Sequence, residues 1–291
     1  MDSSAKKPDW IRVALPAGNE WKQVGQTLAR HGLHTVCDEA RCPNKGECWG
    51  QGTATFMILG DVCTRSCRFC AVKSAKSGLP VREDEAEALA SAVAELGLSY
   101  VVITSVDRDD LPDRGAEHFS ACVKAVRSKV PRAKIEILVP DYIDKEMELA
   151  AASNPNVLAH NVETVRRLQG VRDKRASFEK SLATLTQAKE RGIRTTKSSI
   201  LLGLGETRDE LREAYRELRL AEVDILVLGQ YLRPSVQELP IVEYIHPDTF
   251  QLYAADAREA GFAAVVASPF ARTSYHALDA WQARAMPGKG D

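Results

Sequence analysis

Six of the seven cysteines in this 291-residue chain fall between Cys37 and Cys70, and the 221 residues beyond Cys70 hold only Cys122. Thiols crowded into so short a stretch are paired as disulfides or hold metal, and the choice turns on compartment and chain length. The segment Met1 to Trp10 carries two lysines but no apolar core, so a signal peptide is not expected. In a long chain of cytoplasmic type, metal ligation is the stronger reading.

Cys63, Cys67 and Cys70 form C-x3-C-x2-C directly after the apolar run Thr55–Leu59. Three thiolates on one loop can hold three irons of a 4Fe-4S cube, leaving the fourth iron open to another ligand. The competing reading, a structural zinc site, normally closes with four ligands and often uses two C-x2-C pairs. One odd triplet, with Phe69 before its third cysteine and a strand before its first, favours the cluster. Cys37, Cys42 and Cys48 make a second triplet, C-x4-C-x5-C, and so point to a second cluster, with disulfides or dispersed buried thiols as the alternatives. Cys122 shares a helical stripe with Phe119, Val123 and Val126 and reads as core.

Thirty-nine Lys and Arg against forty Asp and Glu leave a formal charge of −1, which offers no basic excess for a nucleic-acid partner. Apolar runs such as Phe262 to Ala267 fall far short of the roughly 20 residues needed to span a membrane. The expectation is a cytoplasmic protein without nucleic-acid or membrane partners.

After Ser99, β-rich runs alternate with amphipathic stretches, the pattern of βα units around a parallel sheet. Strands are expected at Thr55–Leu59, Tyr100–Thr104, Lys134–Val139, Val157–His160, Arg194–Leu201 and Ile225–Gly229, with Ala263–Ala267 as a terminal or edge element. A helix through Leu89 and Val93 should stop at Gly97, and another through Phe178 and Leu185 before Gly192. Thr207 and Glu210 have capping-box spacing. Strands rich in Val, Ile and Leu suggest a sheet closed or partly closed into a barrel, with an open doubly wound sheet as the alternative and ligand chemistry at the strand C-termini. Residues 1–52 show little strand pattern and read as an extension packed on the barrel.

At the C-x3-C-x2-C loop the sequence resembles the radical S-adenosylmethionine superfamily, and the tandem triplets narrow the resemblance to the lipoyl synthase family. Lys7-Pro-Asp-Trp10, Leu33-His-Thr-Val36, Asp109-Asp-Leu-Pro-Asp113, Leu158 to Thr164, Gly203 to Thr207, Gln230 to Ser235 and Arg272-Thr-Ser-Tyr275 all look like signatures of that family. The resemblance implies an α/β fold with a partial (β/α)6 TIM-type barrel at 53–267, a cysteine-bearing N-terminal extension at 1–52 and a C-terminal helical tail at 268–291. It implies two 4Fe-4S clusters, one on Cys63, Cys67 and Cys70 that splits S-adenosylmethionine to a 5′-deoxyadenosyl radical. The other, on Cys37, Cys42, Cys48 and Ser274, is consumed as the sulfur donor. The reaction implied is sulfur insertion at carbons 6 and 8 of an octanoyl chain on a lysine of a lipoyl carrier domain. Such carriers are the 2-oxoacid dehydrogenase acyltransferases and the glycine cleavage H protein, a ferredoxin or flavodoxin supplies electrons, and the enzyme is expected to be a monomer.

The same resemblance gives Arg272 and Ser274 catalytic roles and has the chain end fold back across the barrel mouth. The ordinary alternative for Ser274 is N-cap of a helix Tyr275–Ala285. Phe69, Asn161 and Glu163 are candidate cofactor contacts, the last two with structural capping as the alternative. Asp107-Arg-Asp-Asp110 follows a strand and suits either ligand contact or a solvated, internally paired loop. The histidines have no ligand spacing among themselves. Four positions depart from the family: Arg114, Ser199 and Ser268 stand where glycines are expected, and Thr273 replaces a serine. Local backbone geometry and cofactor affinity are what these changes put in question.

Overall fold

The computed structural model describes residues 7–12, 19–51 and 54–285. In chain order the elements are α1 (Asn19–His31), β1 (His34–Thr35), α2 (Val36–Glu39), α3 (Lys45–Gly50), β2 (Thr55–Ile58), β3 (Val62–Cys63), β4 (Lys73–Ser74), α4 (Glu85–Glu95), β5 (Tyr100–Ser105), α5 (Ala116–Lys129), β6 (Lys134–Leu138), α6 (Asp144–Ala152), β7 (Val157–Ala159), α7 (Phe178–Glu190), β8 (Thr196–Leu202), α8 (Arg208–Leu220), β9 (Ile225–Gln230), α9 (Pro247–Glu259), β10 (Ala264–Ser268) and α10 (Ala277–Ala285). One sheet runs β1-β2-β5-β6-β7-β8-β9-β10, parallel throughout except for antiparallel β1, and it does not close: β1 and β10 are its edges. β3 and β4 form a separate two-stranded ladder.

All seven expected strands are present, the last at the edge. The expectation for residues 1–52 needs correction, because His34–Thr35 pairs with Met57 and Phe56 and so brings the extension into the sheet. Two residues leave no readable alternation. The expected boundary at 52/53 lies outside the described residues, and β10 reaches Ser268, one residue past the expected division at 267/268.

Alternation along each strand sorts the side chains into two layers. Val101, Ile103, Ile135 and Ile137 join the core under the helices, as do Ile200, Leu202, Leu226 and Leu228 on the other half of the sheet. The intervening residues, among them Tyr100, Val102 and Thr104, face the bore and line cavities there. The bore also holds a buried ion pair: Lys197 Nζ lies 2.9 and 3.1 Å from the Glu136 carboxylate oxygens, and Tyr100 donates to the same carboxylate at 2.6 Å. This pair ties β5, β6 and β8 together around β7.

Helix ends follow their local chemistry. Gly97 has φ +63° just beyond α4, and the Thr207–Glu210 capping box opens α8 in both its hydrogen bonds. Of the departures, Arg114 does occupy a left-handed conformation (φ +51°), which for a residue with a Cβ costs about 1–2 kcal/mol. Its backbone oxygen accepts from the Tyr142 hydroxyl at 3.0 Å, and its guanidinium lies 3.5 Å from Glu146 and binds the Asp141 carbonyl. Ser199 and Ser268 sit in regular strand.

Candidate active site at two ends of one bore

Cys63, Cys67, Cys70 and Phe69 line a cavity of about 280 Å³ at the mouth, where β2, β5, β6 and β7 end. Asn161 and Glu163 line it too. The cysteine loop is held from below by Arg65, whose side chain is 4% exposed. Arg65 donates twice to Asp109 at 3.0 Å and once to Asp141 at 2.6 Å, and Thr64 Oγ1 donates to Asp109 at 2.9 Å. Burial would raise Asp141, yet His160, Arg65 and Arg172 hold its carboxyl below its ordinary value. Asp107, pushed up to about 6 by burial, faces Cys63 at 3.9 Å. The Asp107–Asp110 loop is thus internally paired, with Arg108 buried, Asp107 and Asp109 partly buried and Asp110 exposed.

Burial raises all three mouth thiols, Cys63 and Cys67 to about 12. Unligated they stay protonated at neutral pH, and a bound metal is what draws out the thiolate. Backbone N–H groups already point at the sulfurs: Arg65 N lies 3.3 Å from Cys63 Sγ and Asp173 N 3.3 Å from Cys67 Sγ. The single histidine lining this cavity is engaged, its two ring nitrogens meeting Val139 O and Ser181 Oγ at 2.9 Å, and burial lowers it to about 4. Three sulfurs with no histidine to spare fit an open-sided cluster better than closed zinc.

Glu163 stands in a left-handed conformation (φ +64°), accepts from Asn161 Nδ2 at 3.1 Å and is raised by burial. A strained backbone that aims a carboxylate into a cavity is a mark of a working site. Gly203 also lies at the mouth end, but its role is close packing, since a Cβ there would meet Gln230 and the Glu243 carbonyl at 2.3 Å.

The second group gathers at the base, where the strands begin. Cys37, raised to about 11 by burial, accepts from the backbone of Thr55 and feels the charge of Cys42. Thr55 Oγ1 donates to Ser274 Oγ at 2.7 Å. Cys48 and Ser274 line one base cavity of about 360 Å³. Cys42 is raised by burial and opposed by Arg272, whose own basicity is lowered by withdrawal from water and restored in part by Cys42 and Glu163. Thr273 Oγ1 donates to Asn161 Oδ1 at 3.0 Å. Residues Arg272 and Thr273 therefore run through the bore between the two cysteine groups.

Two expectations are corrected here. The described part of the tail, to Ala285, does not cross the mouth: α10 closes the base, with Trp281 against Tyr100 (6.4 Å between rings) and under the Lys134 ammonium (5.5 Å), both strand-initial residues. Nor is Ser274 a helix N-cap, because α10 begins at Ala277 and His276 before it is left-handed (φ +50°). Reasoning from sequence also missed the Arg65–Asp141–Arg172 network and the bore pair Glu136–Lys197. It missed too that His34, Glu39 and Asp61 converge within 4.8 Å, with Asp61 paired to the Lys73 ammonium at 2.5 Å.

The model of the radical SAM superfamily matches residues 57–218, and that of the N-terminal domain of lipoyl synthase matches residues 2–42. A lipoyl synthase of Anaeromyxobacter sp. (strain Fw109-5) is 50% identical over 280 residues, 95% of each chain. One from Thermus thermophilus is 50% identical over 275 residues, 93% of this chain and 85% of that one. The chain belongs to the lipoyl synthase family. Membership makes it a radical S-adenosylmethionine enzyme of lipoyl-group synthesis, with a 4Fe-4S cluster and S-adenosylmethionine as cofactors. Solved structures agree on the fold: the hydrogenase maturase HydG from Carboxydothermus hydrogenoformans has a TM-score of 0.60 at 17% identity, covering 78% of this chain and 56% of that one. For methylornithine synthase the values are 0.57 and 14%, with 79% and 67% covered. Among the described residues no helix is long and apolar enough to cross a membrane.

Proposed function

We propose that this lipoyl synthase family member inserts sulfur at carbons 6 and 8 of an octanoyl chain carried on a lysine of a lipoyl carrier domain, drawing the sulfur from a second, sacrificial 4Fe-4S cluster. The observation that carries the reading is the pair of three-cysteine groups at opposite ends of one bore, joined by the Arg272–Thr273 segment. In this reading Cys63, Cys67 and Cys70 hold the radical-generating cluster, while Cys37, Cys42, Cys48 and Ser274 hold the donor. When bound, the two clusters and S-adenosylmethionine supply the hydrogen-abstracting radical and the sulfur. The chain's own residues do the rest. Glu163 and Asn161, held by Thr273, offer polar contacts to the amino-acid or ribose part of S-adenosylmethionine, and Phe69 shields the cysteine loop. Arg272, near both Cys42 and Glu163, is positioned to balance charge between the ends. Val102 and Thr104, successive on the bore face of β5, line the base and mouth cavities respectively and give a linear acyl chain a path between the ends.

The divisions 1–52, 53–267 and 268–291, the ferredoxin or flavodoxin electron source, action as a monomer and cytoplasmic location belong to the same proposal. Anaerobically reconstituted protein should convert an octanoyl-lysine carrier peptide to its doubly thiolated product with S-adenosylmethionine and a reductant. Deoxyadenosine release without any thiolated peptide would refute the sulfur-insertion reading.

A further inference from the structure

A sacrificial cluster must lose and regain iron, so the donor group needs a path for ions. The mouth is a poor one: a Cβ on Gly229 would lie 2.0 Å from the Ala271 carbonyl, so the tail is pressed against β9, and Thr273 is tied to Asn161. An ion arriving from the mouth would also have to pass bound cofactor and substrate. The base offers another approach. Its cavity reaches Cys48 and Ser274 from solvent, and Ser99 lies exposed on its wall. At its edge one imidazole bridges two carboxylates, His276 Nδ1 lying 2.9 Å from Asp279 and Nε2 3.6 Å from Glu47. The side chains of Glu47 and Asp279 are 37% and 70% exposed, and Tyr275 donates to Glu47 at 2.8 Å, next in sequence to Cys48.

We propose that the base cavity is the route by which ferrous ions reach and leave the donor ligand group, with Glu47, His276 and Asp279 as the cation-attracting rim. The proposal rests on reading Cys37, Cys42, Cys48 and Ser274 as cluster ligands. Carboxylate and imidazole bind ferrous iron less tightly than a multi-thiolate set, so transfer inward is downhill. Two carboxylates outnumber the one imidazole between them, and a net negative entrance raises the local concentration and arrival rate of cations.

The test uses the full chain, anaerobically reconstituted, with isotopically labelled ferrous ion for uptake and a ferrous chelator for loss, each resolved by Mössbauer spectroscopy. Ser99→Trp should narrow the cavity while leaving the Ser99 carbonyl free to accept from Lys134. Iron loss from the donor site should then slow, with the mouth cluster unaffected. Glu47→Gln with Asp279→Asn, which removes the rim charge and keeps an amide oxygen for the Tyr275 hydroxyl to donate to, should slow uptake by about tenfold. S-adenosylmethionine in the mouth should protect the mouth cluster alone. Unchanged donor-site rates in both variants, or protection of the donor site by S-adenosylmethionine, would overturn the route. Failure of the underlying reading looks different: the parent protein would then hold about four irons instead of about eight.

Discussion

At the mouth, Cys63, Cys67 and Cys70 share one loop, and Arg65 within that loop anchors it to Asp109 and Asp141. At the base, Cys37 and Cys48 come from the short helices α2 and α3 and Cys42 from the turn between them, and the serine beside them lies 226 positions beyond Cys48 (274 − 48). Distant segments must first meet there. Asn44 Nδ2 donates to the Phe270 carbonyl at 2.7 Å, and Tyr275 donates to Glu47 at 2.8 Å, so polar ties between extension and tail assemble the base. The three mouth thiols share one short loop, so their spacing is encoded locally, whereas a group assembled from both chain ends can be opened and rebuilt. That difference suits a permanent radical source at one end and a consumable donor at the other.

Breaking the mouth should have the largest effect. Cys67→Ala removes one of three protein ligands of the radical-generating cluster and should abolish deoxyadenosine formation while sparing the base cluster. Deoxyadenosine release at the parent rate would reverse the assignment of the two ends. Breaking the base should separate the two chemistries: Cys42→Ala should still release deoxyadenosine but yield no thiolated product, as read by product analysis of a single turnover.

A change between the ends should touch both. Glu136→Gln leaves the Lys197 ammonium buried without its counter-charge, which should cost about 3–5 kcal/mol in denaturant unfolding and weaken cluster retention at mouth and base alike. Loss confined to one end would show that the pair serves that end and not the barrel.

The smallest effect comes from a site remote from both. Asp256 of α9 is held below the ordinary carboxylate range by hydrogen bonds from Arg208 and Arg212 of α8. A carboxylate depressed in the folded state contributes fully above its unfolded value and loses that contribution as pH falls through the folded one. The parent should therefore lose stability on acidification below about pH 4 more steeply than Asp256→Asn, which should cost about 1–3 kcal/mol at neutral pH. Both should partition products identically. A pH-independent difference between the two proteins would remove the ion pair from the account.

The same contrast explains what could be read from the chain. The cysteine triplets, the βα alternation and the Thr207–Glu210 box are local patterns, and local patterns survive folding unchanged. The strand β1 did not announce itself because two residues carry no period. Glu136 and Lys197 interrupt apolar runs at bore-facing positions, an alternation hidden by strands otherwise rich in Val, Ile and Leu. The base was legible only through resemblance: spacing cannot tell that Ser274 meets Thr55, nor that α10 seals the strand N-termini instead of crossing the mouth.

The central claim, that the two ends do separate chemistry, is tested most directly at Ser274. Ser274→Ala and Thr273→Ala, each reconstituted with heavy-isotope sulfide and normalised to folded protein, should be carried through one turnover and their products weighed by mass spectrometry. The account predicts that Ser274→Ala releases deoxyadenosine and leaves the octanoyl chain without sulfur, while Thr273→Ala still gives heavy-labelled lipoyl product. Full insertion of heavy sulfur by Ser274→Ala would contradict it.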